Sequence, residues 1–284
     1  MNLIDHTNPI WASKMRRING AYTYSQDLVK YQVPHWEKVL GENDLISTCP
    51  KIYERDVIDN CGTIIQYLHS YPYERPVEKI QAVVDELSLK CNRIVFVSGY
   101  KEYVRRLTYN GINAVYAPMS IDVKAVQEFE QPKIHSNRII YFGNVVREKV
   151  SLFNKLHQSC KEAGLEFDYI STGRMNAKIE MTREEVLQTI STYKYGIGVG
   201  RCAQEMMALG VKVIIAGQRF GGLIVTEEDY ERQLATNMNG RVHTHSLSLR
   251  KCLKNIDNAI TQSNDITEVN HAELLVENLS NVFQ

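Results

Sequence analysis

Apolar residues in this chain fall into short, nearly continuous runs, separated by longer stretches in which apolar and polar positions recur at helical spacing. The runs occupy 63–68, 93–98 (RIVFVS), 114–117, 138–142 (RIIYF), 167–171, 195–199 and 211–216 (VKVIIA), with a shorter one at 44–48 stopped by Pro50. A strand packed by helices on both faces has no polar side, so such runs predict parallel strands rather than half-exposed antiparallel ones. The amphipathic stretches predict helices at 26–40 after Ser25, at 77–89, from Gly99 to the Asn110-Gly111 pair, at 151–164, 182–192 and 200–209, and from Thr226 and Asp229 onward. Asn110-Gly111 is a helix-stop signal, and Thr182 with Glu185 has capping-box spacing. Leu274, Leu275, Leu279 and Val282 predict a terminal amphipathic helix. Strands alternating with helices in this way define the α/β class.

The series breaks once. Residues 120–137 are charged and contain Pro132, which sets a predicted junction: 1–136 as a first α/β domain, 137–266 as a second, and 267–284 as a C-terminal helix packing back on the first. With 284 residues, 44% of them hydrophobic, the chain can bury one large core or two modest ones. Its 33 Lys and Arg balance 33 Asp and Glu, so no global field draws in nucleic acid or anionic lipid, although a local basic groove is compatible with that total. The six cysteines are scattered without a CxxC pair, which removes zinc-ribbon and dithiol motifs and fits a reducing compartment. Residues 1–17 are polar and broken by Pro9, unlike a signal peptide, and no apolar run approaches the roughly 20 residues of a membrane span. A soluble, cytoplasmic protein with no transmembrane segment is expected.

The segment richest in chemistry is 195–217, YGIGVGRCAQEMMALGVKVIIAG. A strand carries the chain to Gly198 and Gly200, where missing side chains let backbone approach a ligand. A helix then begins, and the free N–H groups at Gly200, Arg201, Cys202 and Ala203, with the helix dipole, suit a phosphate. Glu205, one turn further in, is placed to accept hydrogen bonds from two ribose hydroxyls. The same residues also fit a tight turn followed by a solvated acid. In 141–149, YFGNVVREK, a strand ends at Gly143 and Asn144, and Arg147 and Lys149 precede a second helix N-terminus. Two cations there suit a diphosphate, or form a solvated basic turn. Thr182, at the start of the intervening helix, completes the candidate donor-side set.

In this order within one α/β half, the two segments resemble the donor-binding domain of GT-B glycosyltransferases, especially the retaining family 4 type. That family's first loop reads G-R-L-x-x-E-K-G; Gly143, Glu148 and Lys149 match, and Asn144 replaces the arginine. Its second segment reads E-x7-E-A-M-A-x-G-x-P-V-I. Glu205, Met207, Ala208, Gly210, Val213 and Ile214 match, Lys212 replaces the proline, and no acid stands near Ile197 or Gly198, where the first glutamate would fall. Residues 95–123 resemble the last strand-helix-strand of the family's acceptor domain, ending in P-x-x-I-D. The likeness is best over 94–216.

This resemblance implies two Rossmann-like domains facing a central cleft, with a UDP-sugar as donor substrate, no tightly bound cofactor and no metal. It implies retention of anomeric configuration. Glu205 carries over as the ribose ligand and Lys149 as a diphosphate ligand; Lys149, Arg147 and the helix terminus at Arg201 would neutralise charge on the departing nucleoside diphosphate. His69 occupies the place of an acceptor-side histidine, its other reading being a loop residue packed among Tyr67, Tyr71 and Tyr73. His243 and His245 lack the acidic or cysteine company of a metal site.

Residues 14–36 bring Arg16, Arg17, Gly20, Tyr22 and Tyr24 together, a set suited, with Tyr71, to phosphate contact and base stacking. Small GT-B enzymes of tailed bacteriophages attach sugars to hydroxymethylated pyrimidines in DNA, and the chain resembles a reduced enzyme of that sort. The likeness implies double-stranded DNA carrying hydroxymethylcytosine as acceptor, a flipped-out base, and the host cytoplasm as the place of action. Core and lid roles for the same aromatics stay open. So do transfer to a lipid-linked or surface polysaccharide, a nucleotide-sugar epimerase, and a non-catalytic nucleotide-sugar-binding protein.

Overall fold

The computed structural model of the protein describes residues 2–4, 44–47, 61–68, 76–117, 121, 123–143, 145, 150–171, 181–216, 222–224, 226–239, 249–259 and 261. They fall into two compact units, the described residues up to Ala117 in the first and those from Ile121 onward in the second. The helices predicted at 26–40 and 267–284 lie outside the described residues. Among the described residues no helix is long and apolar enough to cross a membrane.

In the first unit, β1 (Asn2–Ile4), β2 (Leu45–Ser47), β3 (Cys61–Leu68), β4 (Cys91–Ser98) and β5 (Ala114–Tyr116) form a parallel sheet in that spatial order. α1 (Val77–Leu87) links β3 to β4, and α2 (Lys101–Tyr109) links β4 to β5. Right-handed crossovers that always step the same way put their helices on one face. Accordingly Ile80 and Leu87 of α1 and Tyr103 and Leu107 of α2 share a core with Ile64, Leu68, Ile94 and Phe96. The alternate positions Ile65, Tyr67, Val95 and Val97 are equally buried, which is why these strands read as continuous apolar runs. Among the described strands of this sheet the order does not reverse, so these strands form no switch point.

The second unit opens with α3 (Val123–Gln127) and continues β6 (His135–Phe142), α4 (Val150–Glu162), β7 (Glu166–Ile170), α5 (Arg183–Ser191), β8 (Tyr193–Gly198), α6 (Arg201–Ala208), β9 (Lys212–Ala216), β10 (Gly222–Ile224), α7 (Glu227–Leu234) and α8 (Leu249–Asn255). Its sheet has the order β10-β9-β8-β6-β7, parallel except for the antiparallel edge strand β10. The chain leaves β6 in one direction to reach β7, returns past it to β8, and continues the opposite way to β9. Helices therefore cover both faces. Val186, Leu187 and Ile190 of α5 and Ala203, Met206 and Met207 of α6 pack with Ile140, Phe142, Val213 and Ile215. Phe153, Leu156 and Cys160 of α4 and Cys252 and Leu253 of α8 pack with Ile139, Tyr141, Ile197 and Ile214 on the other side.

The charged segment expected to be a junction is folded onto this unit instead, so the second unit begins before residue 137. Ile121, Val123, Val126 and Phe129 pack against the core under α5 and α6. Lys133 Nζ donates to the carbonyls of Ser191 (2.7 Å) and Leu209 (2.6 Å), where α5 and α6 end. Burial lowers the pKa of this lysine, against the opposing pull of Glu130. A lysine clamping two helix C-termini looks like linker charge in one dimension, because its partners are 58 and 76 residues away.

Candidate functional site

The reversal of strand order sits between β6 and β8, whose last paired residues are Phe142 and Gly198. The chain leaves β6 and β8 towards opposite sides of the sheet, and in open α/β sheets ligands bind at such a switch point, beyond the carboxyl ends of the strands. The residues at this edge come from both predicted segments. Gly143 follows β6, its N–H donating to Ile170 O at 3.2 Å, and Val145 N–H donates to Ser171 Oγ at 3.0 Å, so the start of this loop is tied to the end of β7. Burial pushes the Tyr141 phenol up to about 12, with the neighbouring Cys202 thiol adding to the shift, which leaves a neutral hydroxyl beside Gly143.

Gly200 caps α6 with φ +58, a conformation that side-chain-bearing residues avoid. Its N–H donates to Met238 O at 2.9 Å, so the turn after α7 holds one of the donors at this helix start. Gly198 has a different reason from the one expected. A Cβ there would stand 2.6 Å from Met206 Cε and 3.0 Å from Phe142 O, and one at Gly196 would stand 2.6 Å from Met206 Sδ. Both glycines let α6 lie close on β8; their missing side chains are filled by Met206, not left for a ligand. Gly198→Ala is expected to cost about 1–3 kcal/mol by overpacking. Adding Met206→Ala should not restore stability, since Phe142 O is backbone and the methionine's removal opens a cavity. Thermal melting of both variants checks this, and a neutral Gly198→Ala would show that the helix can lift from the strand.

α6 begins Arg201-Cys202-Ala203-Gln204-Glu205. The methyl of Ala203 is fully buried in the core, since this side of the helix faces the sheet, so the contact expected of this residue is one its backbone N–H would make. Cys202 is half-buried beside Tyr141. Glu205 is not the solvated acid of the alternative reading. Its Oε1 accepts from Arg201 Nε and from Arg183 NH2, each at 2.8 Å, and the side chains of Arg201 and Glu205 are only 6% exposed. Arg183 is the first residue of α5. Thr182 caps that helix as its spacing predicts, the hydroxyl accepting from Glu185 N–H while the Glu185 carboxylate accepts from Thr182 N–H.

Two residues escaped the sequence reading. Arg183 follows the Thr182 cap and pairs with a glutamate 22 positions on; an arginine in a first helical turn, where acids are favoured, was its only trace. Gln204 is buried and its Oε1 makes no hydrogen bond, which nothing in the sequence foretold. Asn144, Arg147 and Lys149 of the donor set, His69, and the acceptor set Arg16, Arg17, Gly20, Tyr22, Tyr24 and Tyr71 all lie outside the described residues, as do His243 and His245. Among the described residues no group of three or more His, Cys, Asp or Glu is placed to hold a metal ion.

The second unit is thus a doubly wound α/β domain whose switch-point edge carries two helix N-termini and two guanidiniums around one carboxylate. No protein-family model matches the chain, and no curated protein sequence matches it.

Proposed function

We propose that the protein is a glycosyltransferase of the GT-B type that takes its sugar from a UDP-sugar held by the second unit. The observation that carries this reading is the reversal of strand order between β6 and β8, with Gly143 and Gly200 at its two sides. Those are the residues at which the sequence resembles the family's donor loops. In this reading the N-terminus of α6 faces the diphosphate, and Glu205, oriented by two arginines, serves the ribose. Arg147 and Lys149 on the connection after β6 supply further positive charge as the nucleoside diphosphate departs. The reaction joins an acceptor hydroxyl to the anomeric carbon and breaks the bond from that carbon to the diphosphate. On the sequence of 14–36, the acceptor proposed is hydroxymethylcytosine in duplex DNA.

The test is release of nucleoside diphosphate from a panel of UDP-sugars, with hydroxymethylcytosine duplex, unmodified duplex or no DNA. Release that requires the modified duplex is the expected result. Release without DNA, or only with glycan acceptors, would overturn the DNA proposal while keeping the enzyme class. A second reading, a nucleotide-sugar-binding protein without turnover, draws on one specific feature. The position of the family's first glutamate falls on Ile197 and Gly198, which are buried within β8. Tight donor binding with no release under any condition would favour it.

A further inference from the structure

In the first unit β3 and β4 pair in parallel, and their register sets Cys61 directly beside Cys91. The two are far apart in sequence and belong to no CxxC motif, so strand pairing alone brings them together. Paired residues on neighbouring strands project to the same face, and both cysteines lie in the core that α1 and α2 cover. Neighbouring strands run about 4.8 Å apart, inside the roughly 4.4–6.8 Å that the Cα atoms of a disulfide span. The pairing holds the two Cβ atoms at a similar spacing, wider than the ~3.8 Å of a relaxed disulfide. A bond between these sulfurs therefore draws the strands together, and that strain makes it easier to reduce.

Both residues are thiols in this structure, Cys61 5% and Cys91 9% exposed. Cys61 Sγ donates to Thr63 O at 3.4 Å, and Cys91 Sγ to Leu87 O at 3.2 Å and Arg93 O at 3.5 Å. An S–H is a weak donor, so turning each sulfur towards its neighbour gives up little. Burial pushes the Cys61 thiol up to about 11, with Cys91 and Asp44 adding to the shift, and burial raises Cys91 as well. Thiolate is therefore scarce at neutral pH, which makes the pair slow to react and spares it from weak oxidants. We infer that Cys61 and Cys91 form a reversible oxidation site whose co-substrate is a low-molecular-weight disulfide. Cys91, the more exposed of the two, attacks one sulfur of that reagent, releasing one thiol and leaving a mixed disulfide. Cys61 then attacks Cys91 Sγ, forms the S–S bond and expels the second thiol. The protein gives up two electrons and two protons, and the reagent, reduced to two thiols, takes them. The product ties β3, the middle strand of the sheet, to β4 at the ends where both strands begin.

The folded protein is brought to constant composition in mixtures of oxidised and reduced glutathione, quenched with acid, alkylated in denaturant and digested. Mass spectrometry should find the peptides of Cys61 and Cys91 joined, and an excess of reduced glutathione should return both to thiols. An internal disulfide releases two glutathiones, so doubling reduced glutathione at constant oxidised glutathione should lower the ratio of joined to thiol form about fourfold. A mixed disulfide releases one, and its ratio falls only about twofold. Cys61→Ala and Cys91→Ala should each abolish the joined species. Where a variant does not fold, the glutathione dependence of the unaltered protein decides alone. Thiols at both positions throughout the series would overturn the assignment, as would a mixed disulfide as end product. So would a linkage that forms only in urea, or one that reduced glutathione leaves intact.

Discussion

Replacing Glu205 with glutamine is expected to lower the unfolding free energy by about 3–5 kcal/mol, the cost of breaking a buried ion pair from one side. The size follows from which partner is left behind. Arg201 sits at the start of α6 with 6% of its side chain exposed, so it cannot turn to water when the carboxylate is neutralised. Arg183 can, because 35% of its side chain is already exposed, and it should contribute little to the loss. The contrast gives a second arm. Arg201→Met combined with Glu205→Leu removes both buried charges and should recover most of the stability, since apolar replacement of a buried pair is often neutral. Urea unfolding followed by circular dichroism measures each variant. A loss below about 1 kcal/mol for Glu205→Gln would mean that the pair behaves as a solvated surface bridge, and the enclosed triad would have to be abandoned.

Phe153→Ala should be as damaging, again by about 3–5 kcal/mol, through a cavity rather than a charge. Phe153 is the centre of an edge-on aromatic cluster, with ring centroids 5.5 Å from Tyr141, 5.4 Å from Phe167 and 5.2 Å from Tyr169. These come from α4, β6 and β7, so truncation loosens the helix from both strands at once. Phe153→Leu retains most of the volume and should cost roughly 1–2 kcal/mol, the difference reporting the lost aromatic edge contacts. The consequence for function runs along the chain. α4 begins at Val150, directly after the connection that carries Arg147 and Lys149. In the proposed reading, Phe153→Ala therefore also raises the KM for the donor, while Phe153→Leu leaves it close to that of the unaltered protein. A small stability loss for Phe153→Ala would show that α4 does not depend on this cluster.

Most strands and helices of the described residues were legible because their cause is local; β1, β10, α3 and α8, short or folded from segments that read as polar or linker, were not. An apolar run of five or six residues, too short for a helix and rich in β-branched side chains, favours a doubly covered strand, and β4, β6, β8 and β9 each fall within three residues of the predicted runs. The Thr182 and Glu185 capping box is also local, two groups three residues apart satisfying one another's backbone. Spacing alone could propose that Gly200 opens α6, because a strand end followed by a glycine and a helical pattern leaves few conformations for the turn.

What the tertiary structure decided depends on groups distant in sequence meeting at one place. Residues 120–137 look like a charged linker, yet Lys133 closes two helix ends whose carbonyls it reaches only after folding. Gly198 looks like a ligand's approach, yet the space belongs to Met206, because α6 lies close upon β8. Glu205 looks like a free acid, yet it is shared by Arg201, one turn back, and Arg183 from another helix. Periodicity constrains which faces are apolar, since that is set along one element at a time. It does not constrain which polar groups pair across elements, since strand order and crossover direction bring those together. The sequence by itself thus determined the α/β class and the longer strands and helices; the order β10-β9-β8-β6-β7 alone put a switch point, two helix N-termini and a shared carboxylate at one edge.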